Sequence, residues 1–287
     1  MLGPTGDAAR ERLTEAAASR LADDGHEVAR PATSAEPPAV ATRGDDEPPL
    51  AVEPLTPDDA TATVVASRLA HALDRGRRVC FVVDDDAAAD AVRSLLADPP
   101  LLVAERDGRR TFHAGPDRIP LAGGGYACVR FDGLGEPSFA WRETDTPAGP
   151  VPAGPGVDAA DTDGAGRPSV PRLVCEVDGR VAAVVAGVES LREPPAEAFP
   201  FGYSRHADDK RFRVRRGADG AVVESAGGFA PMRAAGYVPI PMPLVPEHVL
   251  GPAFGPDRSE AEGAGDGAGA DLGDAWRLLR LDPTDSA

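Results

Sequence analysis

The chain has 287 residues, 30 of them Lys or Arg and 47 Asp or Glu, for a net charge of −17. Lys210 is the only lysine, and neither asparagine nor glutamine occurs. These absences exclude an in-chain Walker A loop, a kinase site with its strand lysine and catalytic-loop asparagine, a Cys-His-Asn protease, and any Schiff base not formed by Lys210. Residues 7–24 read as a helix, with Asp7 as a cap, Leu13, Ala17 and Leu21 on one face and Gly25 as its stop. HEVAR reads as a short strand. Residues 31–56 are proline-rich, carry the triplet Asp45-Asp46-Glu47 and read as a linker, so that 1–56 is a helix plus an arm.

Residues 57–106 alternate in the manner of an α/β unit. TPDDATATVVASRLAHALDRG opens on Pro and Asp, places Ala62, Val65, Leu69 and Ala72 on one face and closes at Gly76. RRVCFVV is a continuous apolar run suited to a strand buried on both sides. DDDAAADAVRSLLADPP is a second helix, and LLVAE a second strand. Helix–strand–helix–strand predicts at least one parallel pair. Beyond it the pattern turns to antiparallel β. Asp107-Gly108 and Asp178-Gly179 mark two hairpins, and RFRVRRGADGAVVESAGG reads as a third. Residues 143–170 and 255–272 read as flexible low-complexity segments, and DAWRLLRLD as a short terminal element. The expectation is an α+β fold. Its short α/β unit runs within 57–142 into strands, a mostly antiparallel β region covers 171–254, and a tail covers 255–287.

Pro239, Pro241 and Pro243 alternate with Val238, Ile240, Met242 and Leu244. Proline excludes a helix. In an extended chain the three missing N–H groups fall on one rim, which predicts an edge strand blocked on its outer side; a polyproline strap is the alternative.

The acid excess suits strong salt, where the screening length falls to about 3 Å and self-repulsion fades. The balance resembles that of haloarchaeal cytosolic proteins. Cys80, Cys128 and Cys175 lie in strand-like runs without CxxC spacing, so they read as core thiols and not as a disulfide framework. No run approaches the ~20 apolar residues of a membrane span, and no signal-peptide core is apparent. A cytoplasmic location away from membranes is expected.

Two clusters carry candidate chemistry. Asp84, Asp85 and Asp86 follow an apolar strand directly, the place where α/β sheets gather ligands, and carboxylates there suit Mg²⁺. CFVVDDDAAADAVRSLLAD resembles the first strand and helix of a response-regulator receiver domain, whose acidic pair binds Mg²⁺. The resemblance carries over to Asp84 and Asp85 as metal ligands. It extends no further, because no acceptor Asp ends a later apolar strand and no lysine stands where a receiver has one. Asp at a helix start also simply caps it. The second cluster is Arg211, Arg213 and Arg215, which share one strand face opposite Phe212 and Val214 and suit phosphate or nucleic acid. The molecule's negative charge and the salt sensitivity of phosphate contacts argue against nucleic acid.

Gly202-Tyr203-Ser204-Arg205-His206 has His where a nucleophile elbow needs a small residue. Gly123-Gly124-Gly125 precedes a strand and reads as a turn. The five histidines lack metal-ligand spacing. The leading expectation is a non-catalytic protein binding an unidentified protein partner or small ligand, with no cofactor. The alternatives are a Mg²⁺-dependent enzyme on a phosphorylated substrate at Asp84–Asp86, and a nucleic-acid accessory factor using the arginine face.

Overall fold

A computed structural model describes residues 6–33, 35–44, 47–145, 171–251, 272 and 274–281. The protein has an α+β fold, with five α-helices and seventeen strands among the described residues. It divides into two compact units. Unit 1 comprises Met1–Leu102 and Leu244–Ala287, and unit 2 comprises Val103–Pro243. The boundary differs from the sequence reading, which ran 57–142 and 171–254 as blocks. The chain leaves unit 1 after 102 and returns to it at 244.

Unit 1 is a mixed five-stranded sheet with helices on both faces. α1 (Gly6–Asp23) is followed by β1 (Glu27–Ala29), β2 (Ala39–Thr42) and β3 (Leu50–Pro54). Next come α2 (Ala62–Asp74), β4 (Arg78–Val83) and α3 (Asp86–Leu95). α5 (Pro246–Val249) and β17 (Trp276–Arg280) follow the return. The strand order is β1-β2-β3-β4-β17. β1–β2 and β2–β3 pair antiparallel, while β3–β4 and β4–β17 pair parallel.

β4 is an interior strand, between β3 and β17, and is covered by helices on both faces, which explains its unbroken apolar run. Strand side chains alternate between faces. Val79, Phe81 and Val83 meet the stripe of α2 (Val65, Ala66, Leu69, Ala72) and that of α3 (Ala88, Ala89, Val92, Leu95). Cys80 and Val82 meet Leu13, Ala17 and Leu21 of α1. Fully burying a side chain of Phe81's size contributes about 1.5–3 kcal/mol.

Four expectations are corrected here. Residues 31–56 are not a linker throughout: β2 and the fully buried β3 lie within them. Pro37, Pro38, Pro48 and Pro49 precede the two strands and do not interrupt them. LLVAE does not complete a parallel pair with RRVCFVV; the partners of β4 are β3 and β17. The terminal element around Trp276 is no tail, because β17 extends the unit 1 sheet. The Pro-Asp opening of the second predicted helix forms a separate 3-10 turn at Pro57–Asp59, and α2 starts after Thr61, whose hydroxyl accepts from the Val64 N–H at 3.4 Å. Residues 146–170 and 255–271 of the two expected flexible segments lie outside the described residues.

Unit 2 is antiparallel β. Its first part has β5 (Leu102–Arg106), β6 (Arg109–Phe112), β7 (Ala114–Arg118), β8 (Tyr126–Arg130) and β9 (Phe139–Thr144). β10 (Arg172–Val177), β11 (Arg180–Val185), β12 (Phe201–Arg205), β13 (Phe212–Arg216) and β14 (Val222–Ala226) follow. α4 (Phe229–Ala234), β15 (Tyr237–Pro239) and β16 (Pro241–Pro243) complete it. One sheet runs β11-β10-β9-β6-β5, a second β14-β13-β12-β8-β15, and β16 pairs with β7.

The three hairpins form as expected. Asp107 and Asp178 hold φ of 52° and 48°, and Gly108 and Gly179 hold 68° and 73°, the positive pair that a two-residue turn between twisted strands requires. Cys175, Trp141 and Phe112 lie directly opposite one another across β10, β9 and β6. The buried indole of Trp141 donates to the Pro241 carbonyl at 2.8 Å, which fastens the proline segment to this core. The segment is not one edge strand as expected: β15 ends its sheet beside β8, whereas β16 pairs with β7 in a separate two-stranded sheet, and the Ile240 N–H between them is spent on the Ala127 carbonyl at 3.1 Å.

Candidate anion-binding site

Asp84, Asp85 and Asp86 do follow the carboxyl end of β4, but they separate at once. Asp84 faces Arg12 at 3.4 Å, and Asp86 faces Arg280 at 3.0 Å. Asp85 is the N-cap of α3, its carboxylate accepting from the Ala88 N–H at 2.9 Å. Three acids thus serve three different partners. The surroundings also depart from the receiver resemblance, since three strands precede β4 in its sheet. Among the described residues no group of three or more His, Cys, Asp or Glu is placed to hold a metal ion.

On β13, Phe212 and Val214 face the apolar cluster under α4, so Arg213 takes the opposite face, as alternation requires. Each arginine is tied within its own hairpins. Arg211 donates to the Ser225 hydroxyl and carbonyl at 3.1 and 2.8 Å, Arg213 to Asp209 at 2.9 Å, and Arg215 to the Gly220 carbonyl at 3.2 Å. The Arg211 backbone N–H and then Arg213 hold the Asp209 carboxyl below its usual range. A bulge at Val214/Arg215 further breaks the row.

Ser204 lies in the regular strand β12, directly opposite Arg213, so no nucleophile elbow forms. Gly124 and Gly125 turn at φ of 85° and 84°, and a Cβ on Gly125 would meet the Tyr203 carbonyl at 2.5 Å. The three cysteines are free and buried. Burial pushes the Cys128 thiol up to about 12 and raises Cys80 and Cys175 as well.

A third arrangement, from residues far apart in sequence, brings cations together. It lies in unit 1 at the amino ends of the parallel strands β3, β4 and β17, on the α1 side of the sheet. Leu50 pairs with Arg78, and Cys80 with Arg277. Arg78 shares its face with Cys80 and Val82, and Arg277 shares its face with Leu279 and Leu281, all four of which pack toward α1. The cleft there is lined by His26, Arg43, Glu47, Leu50, Arg78 and Arg277, together with Ala41 and Pro48. Three arginines and one glutamate line it, within a chain of net charge −17.

The guanidinium groups are not employed as caps of α1. Its last carbonyls are taken by backbone N–H groups, Asp24 to Arg20, Gly25 to Ala22 and His26 to Leu21. The His26 ring adds Nδ1 to the Leu21 carbonyl at 3.1 Å, a contact that puts the proton on Nδ1. Arg78 spends its Nε on the Asp274 carbonyl at 2.5 Å. Arg43 and Arg277 have no carboxylate partner among the described residues. Nη2 of Arg277 is buried and makes no hydrogen bond. The same guanidinium lies beside Cys80 and partly offsets the burial that raises its thiol.

A buried donor on a cation left unmatched costs about 1–3 kcal/mol or more. In unit 1 Nε of Arg12 is also buried and unmatched, but its guanidinium meets Asp84 at 3.4 Å, whereas Arg277 has no such carboxylate among the described residues. The one sequence signal for Arg277 is alternation in WRLLRL, which puts it on the same face as Leu279 and Leu281 while Arg280 takes the other. The contrast is Glu53, buried on β3, which meets Arg68 of α2. Burial raises the Glu53 carboxyl, and Arg68 pulls it the other way. The cleft is small: its cavity volume, about 20 Å³, is little more than a single water molecule needs. No protein-family model, curated protein or solved structure matches the chain.

Proposed function

We propose that the protein is a non-catalytic binding protein whose first unit holds a small oxyanion, such as a phosphate or carboxylate group, between Arg43, Arg78 and Arg277. The observation that carries this reading is the buried, unmatched Nη2 of Arg277 inside a cleft that gathers two further guanidinium groups. An oxyanion supplies what those N–H groups lack, and arginine forks match its geometry. Guanidinium groups stay protonated and neither attack nor transfer protons, and the His26 ring is engaged through Nδ1 with the Leu21 carbonyl, which supports holding a ligand over converting it. The acid-rich composition supports a cytoplasmic setting in a salt-adapted cell.

Calorimetric titration with inorganic phosphate and with sulfate, at fixed KCl, tests the reading. The parent binds one equivalent. Arg277→Ala loses a charge-assisted contact worth about 1.5–3 kcal/mol, a weakening of roughly 10- to 100-fold, and Arg277→Lys recovers only part of it. Absence of heat with either anion, or an Arg277→Ala protein that binds as the parent does, removes the cleft as a ligand site.

A further inference from the structure

Unit 2 contains a second unusual cation. Arg118, the last residue of β7, is exposed and has no carboxylate partner among the described residues. Three rings hold it instead. Its guanidinium carbon lies 4.6 Å from the centre of the Phe229 ring, 5.9 Å from Tyr126 and 6.0 Å from Tyr203. Those rings come from α4, β8 and β12, with Tyr126 directly opposite Tyr203 in the sheet. Phe212 of β13 completes the group, 6.2 Å from Tyr203 and 6.1 Å from Phe229.

The group is more than a cover for the apolar cluster beneath it. Tyr126 is 42% exposed, although a ring in a cluster that served packing alone gains by full burial. The Tyr203 hydroxyl is buried and makes no regular hydrogen bond, with Arg118 as the cation beside it. Arg205, two residues along β12 on the face of Tyr203, is exposed and spends only its Nε, on the Lys210 carbonyl. A flat cation seated on a ring, an exposed tyrosine beside it and a further arginine along the strand form a platform for a planar ring that carries negative charge. Bases stack on aromatic faces and on arginine planes, and every base offers a π-face. Stacking also persists in strong salt, where attraction to phosphate is screened.

We propose that unit 2 carries a stacking site for a nucleotide base, built from Tyr126 and the ring-held Arg118, with Arg205 reaching the attached phosphate. It lies on the β13 face opposite Arg213 and is separate from the oxyanion cleft of unit 1.

The test uses the full chain carrying Arg277→Ala, so that the cleft contributes no phosphate binding, at fixed KCl. AMP, adenosine and ribose 5-phosphate are titrated by calorimetry. AMP binds about tenfold or more tightly than ribose 5-phosphate, and adenosine retains part of that advantage. Tyr126→Leu and Arg118→Lys each weaken AMP about tenfold while the circular-dichroism spectrum is unchanged; should Tyr126→Leu unfold, Arg118→Lys alone decides. A fluorescent adenine octanucleotide distinguishes the source of the base: binding far tighter than AMP identifies a single strand, and binding no tighter a free nucleotide. Equal affinity for AMP and ribose 5-phosphate, or folded variants that bind AMP as the parent does, overturns the proposal. Failure of phosphate to bind the unmodified chain bears only on the cleft.

Discussion

Asp59 shows how much one side chain here depends on its partner. Its carboxylate takes two bonds from Arg10, at 2.9 and 2.8 Å, and further bonds from the Thr56 hydroxyl and N–H at 2.8 and 3.1 Å. Arg10 first, then Thr56, holds the carboxyl well below the usual aspartate range. A depressed folded-state pKa means stability that is present above the unfolded value, near pH 3.9, and lost as pH falls toward the folded one. Asp59→Ala therefore costs about 1–3 kcal/mol at pH 7, and its deficit against the parent shrinks as pH falls below about 4. Urea titrations at pH 7 and in the acid limb measure both; a deficit independent of pH rules out the ion pair as its origin. Little of this was legible beforehand, because Arg10 and Asp59 are 49 positions apart. The same holds for Arg277. Asp84–Asp86 drew attention as a run, whereas the structure spends each acid separately. Adjacency in sequence at a helix start sends neighbouring side chains in different directions.

At the level of elements, legibility followed local physics. The Asp-Gly hairpins, the buried strand β4 and the stripes of α1 to α3 stood out, because positive φ and apolar period are local properties. β2 and β3 did not, since prolines flank both strands and β3 holds Glu53 among its buried residues. Which strands joined which sheet was also hidden: β5 sits beside β6 in one sheet while β17 reaches β4 from far along the chain. The start of α3 offers a prediction about a single element. With Asp85 as a cap, Asp85→Ala destabilises by about 1 kcal/mol and Asp85→Asn by far less, since Asn caps as well as Asp. Thermal melts of the two variants decide it; an equal loss from both would point to the charge of Asp85 and not to its cap.

Across the whole molecule, the net charge of −17 sets the salt dependence expected of its stability. Arginine–carboxylate pairs stud both units, among them Arg10–Asp59, Arg142–Glu176 and Arg216–Asp219, yet 17 negative charges remain unmatched. Surface pairs of this kind contribute only about 0–1 kcal/mol each and do not offset that repulsion. Melting temperature should therefore rise steadily from dilute buffer to about 3 M KCl, as the screening length drops. The rise should persist in Arg277→Ala, which separates general screening from anions settling in the cleft. A flat melting curve across that range would contradict the salt-adapted reading.

The return of the chain to unit 1 also sets an order of events during synthesis. Residues Val103–Pro243 leave the ribosome as a contiguous stretch and can close their own sheets while translation continues. The earlier-made unit waits, with one side of β4 unpaired, until Trp276–Arg280 emerges. Arg277 arrives with that strand, so the cleft that it lines with Arg43 and Arg78 is assembled only once β17 has paired with β4.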